Sequence, residues 1–259
     1  MAVLPSGMPI PEYQSDAELA RALATEAGMV LVDVRARGAS RYPDSLRDEG
    51  DRVAHEFLAA RLAEHRPGDG VRSEEAEDSP TRHTADRVWI IDPLDGTREF
   101  GERGRSDWAV HVALWAGGEL VAGAVALPAL GETFGTDKPP ALPALNRPVR
   151  FAVSRNRPPG FVRELATMVG AELVPMGSAG AKTMAVVRGE VDAYLHAGGQ
   201  YEWDSAAPVA VALATGLYAA RLDGSPLRYN RRDPWLPDLV VCHPELADPL
   251  RAGLTEVYW

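Results

Sequence analysis

The segment Trp89-Ile90-Ile91-Asp92-Pro93-Leu94-Asp95-Gly96-Thr97 delivers two aspartates, three apart, at the end of an apolar, β-rich run. Proline stiffens the turn between them, and Gly96 lets the backbone approach a ligand closely. Two carboxylates held together without a basic neighbour repel one another. A hard divalent cation relieves that repulsion, and Mg²⁺ prefers such oxygen ligands. A solvated Asp-Pro-x-Asp-Gly turn is the other reading these residue types allow. An EF-hand fits poorly, because its loop needs acidic residues at alternating positions and a late glutamate.

Two further acidic clusters weigh toward the cation. Glu74-Glu75 ends an extended segment, and Tyr201-Glu202-Trp203-Asp204 opens an Ala-rich helix. Asp204 falls near the N-cap, where an aspartate ordinarily does no more than cap. The six histidines, His55, His65, His83, His111, His196 and His243, show no i, i+4 metal spacing. They read as structural or surface groups, with His111 at a core or cleft position on a strand.

Elements that could position these groups follow from periodicity. Ser15 and Glu18 form a capping-box pattern ahead of Leu19, Leu23, Val30 and Val34, predicting a helix over 15–35. Val53, Phe57, Leu58 and Leu62 mark a second helix, ended by Pro67-Gly68-Asp69-Gly70. A short extended run at 71–75 follows. The strand at 88–91 is expected to stop at Asp92-Pro93, where proline must leave the ladder. Runs 108–115 and 119–127 read as antiparallel neighbours joined through Gly117-Gly118.

The stretch 137–148 carries four prolines and marks a boundary between an N-terminal α+β half, 1–147, and a C-terminal α/β half, 148–259. Beyond it, strands at 149–153, 172–174, 191–195 and 217–222 alternate with helices at 161–169, 181–188 and 204–215.

The chain has 259 residues, of which 46% are hydrophobic and 25% charged, an ordinary globular composition. A formal net charge of −10 disfavours both a nucleic-acid backbone and an anionic membrane as partner. The single cysteine, Cys242, excludes an intramolecular disulfide and a zinc site of cysteine ligands. It reads as a buried small hydrophobe in the strand-like run 239–242. The N-terminal residues lack a basic region followed by a long apolar core, so no signal peptide is expected. The longest uncharged run, 206–220, is shorter than the ~20 residues that span a bilayer. A cytoplasmic protein is the expectation.

Ser73-Glu74-Glu75, then Asp92-Pro93-Leu94-Asp95-Gly96-Thr97, then Trp203-Asp204-Ser205-Ala206-Ala207 resembles the ordered signature of the inositol monophosphatase-like, magnesium-dependent phosphatases. The resemblance covers essentially the whole chain. It implies a layered αβαβα sandwich of the sugar-phosphatase type, mixing α+β and α/β halves, with two or three Mg²⁺ ions. It further implies metal ligation by Glu74, Asp92, Asp95, Asp204 and the Leu94 carbonyl, with Glu75 a neighbour. Thr97, supported by Asp51, would position an attacking water. Here Glu49-Gly50-Asp51 stands where a Thr-x-x-Asp-like run is common in the family. The amides of Gly96 and Thr97, if they begin a helix, would add donors to a phosphate.

After Asp-Gly-Thr the chain continues Arg98-Glu99-Phe100, which looks like the 3′(2′),5′-bisphosphate nucleotidase, or CysQ-type, branch. That resemblance implies 3′-phosphoadenosine 5′-phosphate as substrate, cleaved to AMP and phosphate in sulfur assimilation, with the 5′-phosphosulfate form a second candidate. Gly177-Ser178-Ala179-Gly180-Ala181-Lys182 is a glycine-rich turn suited to an oxyanion, with Lys182 as the cation a second phosphate would need. A plain β–α connection with Lys182 in solvent is the alternative. In the segment 224–230, Arg228 could meet a phosphate and Tyr229 the nucleotide, although a plain turn fits equally well. The six tryptophans show no stacking platform in the sequence, and Trp89 and Trp203 wall the site rather than bind the base on this reading. A homodimer is compatible with it. The rivals are inositol monophosphate or fructose 1,6-bisphosphate hydrolysis, and a non-catalytic sensor of metal or phosphate.

Overall fold

Ser15 caps the first helix, α1 (Asp16–Arg37), its Oγ accepting the Glu18 amide at 3.2 Å. Leu19, Leu23, Ala27, Leu31 and Val34 form one buried stripe along it, the pattern of a helix laid on a sheet. The structure, a computed structural model, describes residues 13–38, 43–145 and 147–258. Most of the N-terminal stretch read above for a signal peptide lies outside them.

Helix α2 (Pro43–His65) packs beside α1 over a five-stranded sheet. That sheet runs β1 (Gly70–Ser73), β2 (Arg87–Asp95), β3 (Ala109–Ala116), β4 (Glu119–Leu127) and β5 (Glu132–Gly135) in spatial order. Only β1 and β2 are parallel. Between β2 and β3 lies the short helix α3 (Thr97–Gly101).

The second half supplies β6 (Arg150–Ser154), α4 (Gly160–Val169), β7 (Glu172–Met176), α5 (Ala179–Val187), β8 (Ala193–Tyr201), α6 (Glu202–Ala214), β9 (Tyr218–Ala220), β10 (Trp235–Cys242) and α7 (Ala247–Val257). Its sheet has the order β7-β6-β8-β10-β9, parallel around β6 and antiparallel at β10.

Side-chain alternation along the strands sets the layers. On β2, Trp89 and Ile91 point toward α1 and α2, while Val88 and Ile90 point toward α5 and α6. On β10, Leu239 and Val241 face α5 and α6, while Val240 and Cys242 face α4 and α7. Both faces of each sheet are therefore covered, and the strands read as continuous apolar runs. The result is the expected αβαβα sandwich, with α5 and α6 as its middle layer.

The strand at 88–91 does not stop at Asp92-Pro93; it continues to Asp95. Asp92 pairs with His111 and Asp95 with Ala109, so three steps on β2 match two on β3. This bulge absorbs the proline, which has no amide to offer the ladder. The predicted strand at 191–195 likewise runs on to Tyr201. Helices α5 and α6 each begin two residues earlier than their periodicity predicts.

Candidate active site

Three element ends converge. The β2 bulge carries Asp92 and Asp95, the first turn of α6 carries Asp204, and their carboxylate oxygens lie within 4.8 Å of one another. Asp92 Oδ1 accepts the Leu94 amide at 3.0 Å, whereas its buried Oδ2 has no hydrogen-bond partner among the described residues. Asp204 accepts the Tyr201 amide at 2.5 Å, so it does cap α6 while its carboxylate also joins the cluster.

Asp95 is the best supported of the three. Its Oδ2 accepts the Ser178 hydroxyl and the Gly180 amide, the latter at 2.6 Å from the start of α5. His111 Nε2 stands 3.3 Å from the same oxygen, a charge contact without the alignment of a hydrogen bond. Burial alone would raise the Asp95 carboxyl, but His111, Ser178 and Lys182 hold it down at about 2. Desolvation, followed by repulsion from Glu74, Asp95 and Asp204, drives Asp92 well above the ordinary carboxylate range. Desolvation and Asp95 raise Asp204 to about 6.

Glu74 lies in the turn after β1. Its side chain is exposed and lies outside the group of three, yet desolvation on its cleft side, followed by the fields of Asp204, Asp95, Glu75 and Asp51, raises it to about 8. Asp51, on α2, reaches Thr97: the Thr97 hydroxyl is 3.4 Å from Asp51 Oδ1 and 3.1 Å from the Leu94 carbonyl. It has one proton to give, so the two acceptors share it. Desolvation and Glu75 raise Asp51 to about 7.

Gly96 begins α3 with φ of 84°, and a Cβ there would meet Ser178 Cβ at 3.0 Å and the Asp107 carbonyl at 3.1 Å. Only glycine fits such a left-handed, crowded position without strain.

Ser178 and Lys182 turn inward. Ser178, itself at φ of 48°, spends its hydroxyl on Asp95. Lys182 is buried, not solvated, and its Nζ donates to the Ser178 carbonyl at 2.6 Å and the Gly177 carbonyl at 3.2 Å. The structure does not bring Arg228 to the carboxylates. Arg228 is exposed in a groove rimmed by Gly118 and Glu119, at the Arg87 end of β2. Tyr229 is buried, its hydroxyl 3.2 Å from Ser205 Oγ.

Sequence reasoning missed the pairing of Arg72 with Glu202, a buried ion pair behind the cluster, and the place of Trp235 beside Tyr201. Burial of an arginine two residues before Glu74 leaves no local signature.

These residues fit a divalent cation. All donors are oxygen, the three carboxylates share one centre, and Asp92 Oδ2 is an orphaned buried acceptor that only a cation or proton would satisfy.

The chain belongs to the inositol monophosphatase family, whose model matches residues 12–256, and this family is metal-dependent. Among its relatives, the 3′-phosphoadenosine 5′-phosphate phosphatase of Mycobacterium leprae is 50% identical over 264 residues, covering 96% of this chain and 97% of that protein. The 3′(2′),5′-bisphosphate nucleotidase CysQ of Escherichia coli is 28% identical over 211 residues, covering 76% of this chain and 85% of that protein. The crystal structure of CysQ from Bacteroides thetaiotaomicron superposes with a TM-score of 0.78 at 27% identity, covering 90% of this chain and 98% of that one. Among the described residues, no helix is long and apolar enough to cross a membrane.

Proposed function

We propose that this chain is a Mg²⁺-dependent phosphatase that removes the 3′-phosphate of 3′-phosphoadenosine 5′-phosphate, yielding AMP and inorganic phosphate. The observation that carries the chemistry is the meeting of Asp92, Asp95 and Asp204 around one centre with Asp92 Oδ2 unpartnered. The substrate follows from the name and near-complete coverage of the mycobacterial relative.

Glu74, Asp92, Asp95, Asp204 and the Leu94 carbonyl would hold the cations. The chemistry such cations supply is neutralisation of the phosphoryl oxygens, activation of water and stabilisation of the departing alkoxide. The protein's own part is positional and electrostatic. Ser178, Gly180, His111 and Lys182 keep Asp95 ionised and oriented. Thr97 Oγ1 orients the attacking water, and Asp51 accepts the proton passed through that hydroxyl. A carboxylate raised to about 7 is in the range where a general base works well near neutral pH. Gly96 lets the β2–α3 turn approach the phosphate without a side chain intervening.

Phosphate release from adenosine 3′,5′-bisphosphate, inositol 1-phosphate and fructose 1,6-bisphosphate tests this reading, each with Mg²⁺ and with EDTA. Preference for the nucleotide and abolition by EDTA are expected. Equal efficiency on all three would sink the substrate, and indifference to EDTA would sink the metal chemistry.

A further inference from the structure

Immediately beside Asp204 three aromatic side chains meet: Tyr201 and Trp235 are exposed, and Trp203 is half-buried against the core. Tyr201, whose amide Asp204 accepts, is 43% exposed and stacks on Trp203 with ring centroids 4.8 Å apart and planes 15° from parallel. Trp235, 42% exposed, meets the Tyr201 ring edge-on at 5.7 Å. The backbone builds this arrangement deliberately. Trp235 and Tyr201 are register partners on β10 and β8. The Trp235 ring lies over Gly199, where a Cβ would fall 1.7 Å from it. Gly199 also has φ of 87°, so no other residue would leave that seat open without strain.

Clustered exposed aromatics, unlike single ones, mark a surface that can take a ligand or partner. Two arginines, Arg231 and Arg232, precede Trp235; both are exposed and have no carboxylate partner among the described residues. Their backbone is tied to the site, since the Arg231 amide donates to Glu202 and the Arg231 carbonyl accepts from Arg72. Aromatic faces with unpaired guanidinium groups next to a phosphate-cleaving centre match a planar base carrying a second phosphate.

We propose that Tyr201 and Trp235, with Trp203 behind them, form the shelf on which the nucleobase of the substrate stacks, and that they set the preference for nucleotides over phosphate esters without a base. The inference rests on the nucleotide reading above. Stacking rewards area and tolerates base identity, so the shelf selects for a base without choosing strongly among purines.

The test measures inhibition by AMP, and separately by ribose 5-phosphate, of whichever phosphate monoester the Mg²⁺-loaded wild type hydrolyses. Baseless β-glycerophosphate is the reference substrate. Trp235→Ala and Tyr201→Ala should each weaken AMP about ten- to hundredfold, the range typical of losing one base–aromatic stack. Ribose 5-phosphate inhibition and the kcat on β-glycerophosphate should stay near wild type. Trp235→Phe should restore most of the AMP affinity, and quenching of tryptophan fluorescence by AMP should be lost in Trp235→Ala. Unchanged AMP inhibition in both alanine variants overturns the shelf. So does an equal loss of AMP and ribose 5-phosphate, which marks a structural role. Because the readout is inhibition, a wild type that prefers inositol phosphate would refute the nucleotide substrate while leaving the shelf decided by these same numbers.

Discussion

Arg72 Nη1 lies 3.4 Å from Glu202 Oε2, joining two side chains that are 4% and 1% exposed and that sit 130 residues apart in the chain. Glu202 also accepts the Asn230 amide at 2.9 Å and the Arg231 amide at 2.8 Å. The pair thus locks β1, which leads to Glu74, against the start of α6, which carries Asp204. Removing one partner of a buried pair strands the other charge and typically costs 3–5 kcal/mol. Arg72→Met should lower stability by about 3 kcal/mol in urea unfolding. The double variant Arg72→Met, Glu202→Gln should recover part of that loss. Additive losses would show that the two side chains do not act as a pair.

The carboxylate cluster makes the metal-free protein sensitive to alkali. Asp92, Glu74, Asp51 and Asp204 all have raised pKa values, with Glu74 at about 8, Asp51 at about 7 and Asp204 at about 6. Between about pH 4 and pH 8 these four carboxyls bind more protons in the folded state than in the unfolded chain, and their contribution to stability falls as pH rises, against a smaller opposite contribution from the lowered His65 and His196 below about 6.5. Asp95 works in the opposite sense, but only between about 4 and its depressed value of about 2, outside that window. In EDTA, thermal melts should show Tm declining from pH 5 to pH 8, at about 2–4 °C per kcal/mol lost. Added Mg²⁺ should raise Tm more at pH 8 than at pH 5, because at low pH it must displace protons.

Asp92→Asn separates stability from function. The amide oxygen can keep the Leu94 bond, and the variant no longer has to take up a proton to bury this side chain. In EDTA the variant should be more stable than wild type by about 0.5–2 kcal/mol, the usual gain when a strained functional site is relaxed. Activity should fall by more than the roughly 10–100-fold seen when outer-shell partners of metal ligands are lost. A destabilised variant would mean the cluster is not repulsive without metal.

Thr97 and Asp51 should behave as one unit. Thr97→Ala and Asp51→Asn are each expected to lower kcat by about 10²–10⁴-fold, the range of general-base catalysis. The double variant should be little worse than either single one. Multiplicative losses would separate the two roles.

Gly180 places its backbone against His111: a Cβ there would lie 2.0 Å from Nε2. Gly180→Ala should displace the imidazole or the start of α5 and cost about 1–3 kcal/mol, as overpacking does. With it goes the orientation of Asp95, so kcat should drop with little change in KM.

Much of this site is legible in the chain because its key carboxylates lie in short local strings. Asp92 and Asp95 follow an apolar run, Glu74 ends a short extended segment, and Asp204 opens a helix. What escaped depends on long-range register or on exceptions to local rules. Pro93 signals a strand end, and only the pairing of Asp92 with His111 and Asp95 with Ala109 reveals a bulge. Tyr201 and Trp235 become neighbours solely through β8–β10 pairing. The direction of Lys182 depends on the turn at Ser178, whose positive φ aims the chain back onto Asp95. Helix α3 and strand β5 are too short for periodicity to register.

Cys242, the chain's one cysteine, is wholly buried on β10 between β8 and β9, and burial pushes its thiol up to about 12. At neutral pH it offers thiol reagents almost no thiolate while the sheet is closed. Its modification rate therefore clocks the opening of the second sheet, separately from turnover at the carboxylates. A cysteine introduced on the surface would be the sole rapidly labelled position, so fluorophores or spin labels can be attached without first engineering the native thiol away.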